Sequence, residues 1–168
     1  LPMKAEAFRE LRHKDNVIPG QADMTDQEKI AIFRRYFSGL PNVYGTYDVA
    51  AGRARQVKDA VADRVFLDHL TGRQPYGVYL LVHDRTGAVA ADFDHDDLAD
   101  PMAFVAACRQ YGLPAYIERS KSKGYHVWIF FEENGVQARK ARMVVQHILA
   151  EIGCPRTEVF PKQDALNT

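Results

Sequence analysis

The chain has 168 residues, 46% of them hydrophobic, which excludes a disordered polypeptide and fits a single domain with a sizeable core. Lysine plus arginine and aspartate plus glutamate both total 22, so there is no overall basic field and any contact with nucleic acid must be local. No segment approaches the roughly 20 apolar residues of a membrane span and the start lacks a signal-peptide core, so we expect a cytoplasmic protein without a membrane partner.

The first 24 residues are a polar N-terminal lead, to which no secondary structure is assigned. Thr25-Asp26-Gln27-Glu28 is a capping box, and apolar residues follow it at helical spacing until Gly39, which predicts a helix. A strand is expected over 43–47 and a second helix over 57–70. The N-terminal part is therefore predicted to be an αβα unit.

Two strands, 78–82 and 88–93, flank the turn-rich segment 84–87, whose length is typical of a hairpin connection. A helix is predicted to follow them. Asp100 is expected to cap this helix, with Pro101 at its first position and Gly112 at its end.

A second hairpin-like pair of strands is predicted over 115–119 and 125–131, around a lysine-rich loop. Asn134-Gly135 then turns the chain into a long helix over 136–152, and a last strand covers 158–160. Strands and helices mixed in this order indicate an α+β fold.

Cysteine usage favours a reducing compartment. Cys108 and Cys154 are the only cysteines in the chain, and each lies inside or at the end of a predicted helix. They form neither a disulfide framework nor a zinc-binding set, so we expect buried thiols and no zinc.

A pair of acids ends the predicted strand 88–93. Side chains at positions i and i+2 of a strand leave the same face about 6.5 Å apart. Asp92 and Asp94 are therefore expected to point together, while Ala91 and Phe93 face the opposite layer. Such a pair can share divalent cations.

The acid pair alone is a weak signal, because carboxylates are common where strands reach solvent. A calcium loop fits poorly, since Asp97 replaces its turn glycine and Ala103 replaces its last glutamate. An aspartyl-phosphate phosphatase would need a threonine where Asp96 stands. A sugar-nucleotide transferase could use the same acid pair and stays open as an alternative.

The lysine-rich loop is more specific. It offers hydroxyls, ammonium groups and backbone amides, which are the groups that hold phosphate oxygens. Its residues are Ser120, Lys121, Ser122, Lys123 and Gly124. His126 follows just inside the next strand, on the face shared by Trp128. A surface turn before a buried histidine is the alternative, but together with the acid pair the loop indicates a metal and nucleoside-triphosphate site.

These motifs resemble those of the archaeo-eukaryotic primase superfamily, which includes the small catalytic primase subunit, primase-polymerases and the polymerase domain of bacterial end-joining ligases. The strand ending in Asp-x-Asp corresponds to 89–94. The Ser-Gly-x-(Lys/Arg)-Gly-x-His motif corresponds to 120–126, with Lys121 where many members have glycine. An acid followed by hydrophobic-Phe-Pro-Lys-Gln corresponds to 158–163.

Within the superfamily, the chain resembles the bacterial primase-polymerase branch of mobile-element, conflict and CRISPR-associated systems. That branch has His-Leu-x-Gly before a Gly-x-Tyr strand, as at 69–72 and 77–79 here. The resemblance spans roughly residues 33 to 164, which is most of the chain.

The resemblance implies an RRM-like antiparallel sheet with helices packed on it, preceded by the αβα unit, with the catalytic domain covering 25–168. Relatives continue beyond the position of Thr168 into a strand that completes the nucleotide pocket. The chain is therefore expected to be a fragment of a larger protein, with further domains or partner proteins. The zinc-binding cysteines of some relatives are missing here.

The implied activity is template-directed nucleotidyl transfer by a DNA primase or primase-polymerase, using dNTPs or NTPs and a DNA template or primer. The implied mechanism is phosphoryl transfer with two Mg²⁺ or Mn²⁺ ions. By the resemblance, Asp92, Asp94 and Glu158 are the catalytic metal ligands, and Asp164 is the alternative third acid.

The resemblance also implies that Ser120, Lys123 and His126 bind the incoming triphosphate, with Lys121 and Ser122 beside them. Template contacts are expected from local basic groups. The candidates are Arg34 and Arg35, or Arg139, Lys140 and Arg142, although charged helix faces are commonly only solvated.

Two rival hypotheses come from other classes of protein. One is a catalytically silent nucleic-acid-binding module of RRM-like fold, which needs no carboxylate pair, so that Asp92 and Asp94 argue against it. The other is the sugar-nucleotide transferase. Thermal shift with dNTPs, UDP-sugars and Mn²⁺ would separate the three, because a specific ligand stabilises the folded state.

Overall fold

Helices and antiparallel strands alternate along the chain in the computed structural model, which describes residues 24–48, 50–120, 123–132 and 134–166. The helices are α1 (Asp26–Tyr36), α2 (Asp63–Leu70), α3 (Ala99–Gln110) and α4 (Ala138–Glu151). The strands are β1 (Tyr44–Asp48), β2 (Arg53–Val57), β3 (Leu81–Val82), β4 (Arg85–Thr86), β5 (Ala88–Phe93), β6 (Tyr116–Arg119), β7 (Tyr125–Phe130), β8 (Val136–Gln137) and β9 (Glu158–Phe160). The predicted α+β class is confirmed. The predicted polar lead lies outside the described residues, except for Met24.

The central sheet has four strands in the order β6-β7-β5-β9, and all neighbouring strands are antiparallel. Its strands and the two long helices follow the chain order β5-α3-β6-β7-α4-β9, which is the split β-α-β-β-α-β arrangement. Residues of β8 pair elsewhere, with β4. The predicted RRM-like antiparallel sheet is therefore present, and β5 is one of its two inner strands.

Alternation along β5 separates the two faces of this sheet. Val89, Ala91 and Phe93 are buried on the face covered by α3 and α4, where Phe104 of α3 is also fully buried. The apolar cluster is completed by Ala107, Cys108, Val127, Ile129, Ala141, Val145, Ile148, Leu149 and Val159. The two long helices α3 and α4 cover this face only, so part of the other face of the sheet is available for a site.

The N-terminal unit packs on one end of that second face, which we call the open face. Phe37, just after α1, meets the rings of Trp128 and Phe130 edge-on at centroid distances of 5.1 and 5.3 Å. Tyr36 meets Phe130 at 5.0 Å. These aromatic contacts hold α1 against the sheet and leave a cleft beside it.

The N-terminal unit contains one strand more than the sequence predicts, so it is αββα. The predicted helix 57–70 is wrong over its first part, since α2 begins at Asp63 and Val57 belongs to β2. The physical reason is pairing, because β2 is hydrogen-bonded to β1 along its whole length, from Tyr44 opposite Val57 to Asp48 opposite Arg53.

The predicted hairpin between 78–82 and 88–93 is also wrong. Strand β3 pairs with the two-residue strand β4 and turns at His83, which has a left-handed φ of 55°. Strand β4 then pairs with β8, while β5 pairs with β7 and β9 of the central sheet. The two predicted strands therefore belong to different sheets.

Two helix starts differ from the prediction. Helix α3 has Leu98 at its N-cap, and the Asp97 carboxylate accepts a hydrogen bond of 2.9 Å from the Ala99 N–H, so Asp100 is not the cap. Helix α4 begins at Ala138, because the two preceding residues form β8 and pair with β4. Among the described residues, no helix has the length and apolar character needed to cross a membrane.

Candidate active site

One row of side chains crosses the open face of the central sheet. The strand registers place Glu118 opposite His126, His126 opposite Asp92, and Asp92 opposite Glu158. Directly opposed residues on neighbouring strands leave the same face of a sheet. The row therefore brings together two predicted catalytic acids and the predicted triphosphate histidine, from strands that are remote in sequence.

Asp92 occupies the centre of this row and is half-buried. Burial raises the pKa of its carboxyl, His126 lowers it, and the carboxylates of Asp94 and Glu158 raise it further. Asp94 itself follows the end of β5 and is exposed. Both neighbouring acids therefore act electrostatically on Asp92, and a cation bound there would offset that repulsion.

Glu158 is the first residue of β9, and the register of β9 with β5 places it in this row. The next residue, Val159, is buried in the core with 6% of its surface exposed, which fixes the opposite orientation of Glu158. The Glu158 carboxylate forms an ion pair of 2.9 Å with Lys162. It is therefore close to Asp92 but already engaged by a lysine.

Asp164, the alternative third acid, is engaged differently. Its carboxylate is bound by the Arg142 guanidinium of α4. Arg142 was one of the candidate template contacts, and its Nε is buried without a hydrogen-bond partner within the described part of the chain. The pair therefore fastens the segment after β9 to α4.

The lysine-rich hairpin approaches the end of β5 through Gly124. A Cβ atom at Gly124 would lie 2.0 Å from the Phe93 carbonyl oxygen and 3.0 Å from the Asp94 Cα, and the backbone there has a φ of +77°. The Ser120 N–H closes the loop with a hydrogen bond of 3.1 Å to the Gly124 carbonyl. Only glycine lets the loop come so close to the acid pair.

The hairpin residues that the sequence assigns to the triphosphate lie beside this contact. Ser120 is half-buried and Lys123 is exposed, whereas Lys121 and Ser122 lie outside the described residues. Asp96 also takes part, because its carboxylate accepts from the Gly124 N–H at 3.4 Å and from Arg119 at 3.3 Å. Arg119 is thereby committed to Asp96.

His126 lies between two acids of the row. Its Nδ1 is 3.2 Å from Glu118 Oε2, and its Nε2 is 3.6 Å from Asp92 Oδ1. The hydrogen bond to Glu118 raises the pKa of His126, burial opposes this, and the Asp92 carboxylate adds to it. The imidazole is therefore biased toward its cationic form, which suits contact with an anion.

A divalent cation fits the chemistry of this donor set, although not every side chain is turned to receive it. Within the described ranges, no three His, Cys, Asp or Glu side chains are grouped as a metal site. Asp92 and Asp94 supply the carboxylate oxygens that Mg²⁺ and Mn²⁺ prefer. Glu158 would have to exchange Lys162 for the ion.

A cavity of about 270 Å³ opens beside the row, between the N-terminal unit and the open face. Its walls are mainly aromatic and aliphatic, with polar groups from Glu118 and His126 of the sheet and from His69 of α2. The other lining residues are Phe33, Phe37, Tyr76, Gly77, Val78, Leu80, Ala90, Trp128 and Phe160. An apolar pocket with a few convergent polar groups is the usual form of a small-molecule site.

Sequence reasoning missed Glu118 and Asp96. A lone glutamate in a strand carries no signal of its own, but hairpin symmetry offers one. Since Ser120 pairs with Gly124 across the loop, residues equally far from the loop centre face each other, and Glu118 is the partner of His126.

The split β-α-β-β-α-β sheet, with acids and a histidine in one row beside a lysine-bearing hairpin, defines a domain of the primase type. The family model for the archaeo-eukaryotic primase domain of the TOTE conflict system matches residues 47–168. The chain belongs to this family, which confirms the resemblance to the primase superfamily and to its conflict-system branch. No curated protein matches the chain significantly.

Proposed function

We propose that this domain catalyses template-directed nucleotidyl transfer, starting or extending strands from dNTPs or NTPs as a primase or primase-polymerase. The observation that carries the proposal is the row on the open face, where Asp92 lies between Glu158 and His126, with the hairpin bearing Lys123 against the end of β5. Acids for cations and cationic groups for phosphate are the two components that phosphoryl transfer requires.

Asp92, Asp94 and Glu158 would hold two Mg²⁺ or Mn²⁺ ions. When bound, such ions clamp the attacking and leaving oxygens and neutralise the charge that develops on them. Asp92 is held half-buried with a pKa raised by burial, and its two acidic neighbours add to that effect. These residues therefore gain from a cation, since it keeps all three carboxylates ionised.

Ser120, Lys123 and His126 would bind the incoming triphosphate, with Lys121 and Ser122 in the same loop. His126 is biased toward its cationic form, and Lys123 is exposed at the hairpin. Charge-assisted hydrogen bonds to phosphate are stronger than neutral ones and weaken with added salt. The residues hold the nucleotide so that its phosphates face the acid pair.

A single-stranded template or primer has a fitting surface at the far end of the open face. A groove of about 720 Å³ is lined there by Arg34, Arg35, Tyr36, Tyr116 and Phe130, among others. Tyr36 and Tyr116 are exposed, and both rings pack against Phe130. Aromatic rings stack unpaired bases, and guanidinium groups attract the backbone.

The experiment that tests the proposal is primer extension and de novo synthesis on a DNA template, with dNTPs or NTPs and with Mg²⁺ or Mn²⁺. We expect products that depend on template, on nucleotide and on the metal, and that disappear when EDTA is added. Two comparison measurements test the rival hypotheses. They are thermal stabilisation by UDP-sugars and oligonucleotide binding in the absence of nucleotides. Stabilisation by UDP-sugars without any nucleotide incorporation would contradict the proposal.

Replacing His126 by alanine is expected to weaken nucleotide binding roughly tenfold to a hundredfold, the value of a charge-assisted hydrogen bond. The melting temperature should change little, because the ring is about one-third exposed and contacts polar partners. Nucleotide titration followed by thermal shift measures both. A large loss of stability with normal nucleotide affinity would instead identify His126 as a structural residue.

Glu158→Gln and Asp164→Asn distinguish the two candidate third acids. We expect the Glu158 variant to lose at least about a hundredfold in incorporation rate, as for other groups that stabilise transition-state charge. The Asp164 variant should remain close to wild type in rate, because that carboxylate is bound to Arg142. Steady-state incorporation on a primed template is the measurement. Unimpaired synthesis by the Glu158 variant would transfer the assignment to Asp164.

Tyr116→Ala is expected to weaken binding of a single-stranded oligonucleotide roughly 5-fold to 100-fold, the value of stacking one base. Nucleotide affinity should stay the same, since the ring lies away from the acid row. Tyr111→Ala is the matched control, because Tyr111 is similarly exposed but contacts His147 and Glu151 at the helical side of the domain. Equal oligonucleotide binding by both variants would contradict the assignment of the groove.

A further inference from the structure

Glu118 lies in the row across the open face but has no part in the mechanism proposed above. Its carboxylate oxygen Oε2 is 3.2 Å from His126 Nδ1 and 2.6 Å from Trp128 Nε1. The side chain is half exposed, so packing in the core does not account for its position. Two ring N–H groups therefore converge on one carboxylate oxygen at the edge of the site.

The chemistry of these partners determines which imidazole nitrogen donates a hydrogen bond to Glu118. An ionised carboxylate can only accept hydrogen bonds, so the hydrogen bond to Glu118 requires the proton on His126 Nδ1. The hydrogen bond from His126 itself lowers the pKa of Glu118, which keeps the carboxylate ionised. With Nδ1 held by Glu118, Nε2 is the ring nitrogen that faces the acid row, 3.6 Å from Asp92 Oδ1.

Trp128 makes this arrangement rigid. Its indole N–H donates to the same Glu118 oxygen, and its ring lies edge-on to His126 at 6.2 Å and to Phe37 at 5.1 Å. The indole is held in turn by its parallel packing against Phe130. The carboxylate therefore has a fixed direction before it meets the imidazole, as expected of an outer partner that orients a functional histidine.

We propose that Glu118 is a positioning residue for His126, which holds the ring through Nδ1–H and turns Nε2 toward the phosphates of the bound nucleotide. The proposal rests on the function proposed above, in which His126 contacts the triphosphate. Glu118 does not touch the nucleotide and acts only through the histidine.

The direction in which nucleotide affinity changes when Glu118 is removed distinguishes a positioning role from direct charge repulsion. A carboxylate near a triphosphate repels it, so removal of Glu118 would tighten nucleotide binding if only its direct repulsion of the phosphates mattered. Loss of a positioning partner has the opposite effect; for metal-ligating histidines it typically costs about 10-fold to 100-fold in affinity or activity, and we expect a loss of that order here. A weaker nucleotide complex in Glu118→Ala is therefore the expected result.

The experiment compares Glu118→Ala and Glu118→Gln with the wild-type protein. Long-range ¹⁵N–¹H spectra of the histidine rings, assigned with His126→Ala, report the protonation of each ring nitrogen without nucleotide or metal. We expect a hydrogen-bonded Nδ1–H in wild type and in Glu118→Gln, whose amide oxygen still accepts, and the loss of that Nδ1–H signal in Glu118→Ala. Incorporation rates should likewise be similar in wild type and Glu118→Gln, and lower in Glu118→Ala.

The matched control is Glu151→Ala. Glu151 is a similarly exposed glutamate, 3.5 Å from His147 on α4 and bonded to Tyr111, so its removal changes the charge equally without touching the row. It should leave nucleotide affinity unchanged. In a His126→Ala background, Glu118→Ala should add no further loss, because the two residues act as one unit.

The outcomes separate this inference from the function on which it rests. An Nδ1–H imidazole that persists in Glu118→Ala, or nucleotide binding that tightens in that variant, would overturn the positioning role while leaving His126 as a phosphate ligand. If His126→Ala itself binds nucleotide normally, the proposed function of His126 fails, and the hydrogen bond at Nδ1 then stands only as a structural property of the row.

Discussion

Replacing Asp92 by asparagine should abolish nucleotide transfer while leaving the fold intact or more stable. The carboxylate is half-buried between Asp94 and Glu158, and both burial and these neighbours raise its pKa. The neutral amide removes that cost, so the melting temperature should stay the same or rise. The rate should fall by at least about 10²-fold to 10³-fold, because the asparagine cannot neutralise a metal ion at the reacting phosphate.

The measurement is incorporation on a primed template at saturating Mn²⁺, combined with a thermal melt of the same preparation. Asp94→Asn should behave in the same way. Asp84→Asn serves as the control, since Asp84 is an exposed aspartate of the β3–β4 turn whose backbone carbonyl, rather than its side chain, caps the start of α4. Wild-type turnover in either acid-pair variant would remove the metal assignment.

The second large effect is expected from Gly124→Ala. The new methyl group would lie 2.0 Å from the Phe93 carbonyl oxygen, and the left-handed φ of +77° is itself unfavourable for alanine. The hairpin or the end of β5 must then move, which separates Lys123 from the acid pair. We expect lower stability together with a loss of nucleotide binding, since both depend on this contact.

Gly153→Ala separates the cost of the left-handed backbone conformation from the cost of the steric clash. Gly153 has a nearly equal φ of +80°, but a Cβ there would meet no atom within 4 Å. Its replacement should cost only the conformational term, about 1–2 kcal/mol. Urea unfolding of both variants gives the difference, which we attribute to the clash. If Gly124→Ala is no less stable than Gly153→Ala, the close approach of the hairpin to β5 is not required.

The elements that the sequence predicted well are those whose local signals agree with their surroundings. The capping box at Thr25 is formed in both directions with Glu28, and α1 begins at the next residue. The apolar run of β5 ends at Phe93, and its alternation put Asp92 on the face opposite the helices. The helix start is predicted by a local capping signal, and β5 by a short continuous apolar run, which is typical of a strand buried on both faces.

The elements that were missed lack such local signals. Strand β2 is almost entirely exposed, and its residues Arg53 to Val57 are held by backbone pairing with β1, which composition does not record. The two-residue strands β4 and β8 are likewise defined by a partner distant in sequence. Pairing across a sheet is a tertiary property, so a single sequence indicates it weakly.

The same distinction holds within the candidate site. Motif positions predicted Asp92, Glu158 and His126 separately, but not that they form one row with Glu118. The row depends on which strands become neighbours, and Glu118 enters it only through the register of β6 with β7. The ion pair of Glu158 with Lys162 was equally invisible, since its geometry depends on how the chain leaves β9.

The central position of β5 has a consequence for the timing of activity during biosynthesis. Asp92 is flanked by strands that are translated after it, and Glu158 belongs to the last of these. At about 5–20 residues per second, the ribosome delivers Glu158 several seconds after the acid pair. A nascent or prematurely terminated polypeptide that lacks β9 would carry Asp92 and Asp94 without their third partner. If Glu158 is the third metal ligand, as proposed above, unfinished chains are therefore expected to be silent.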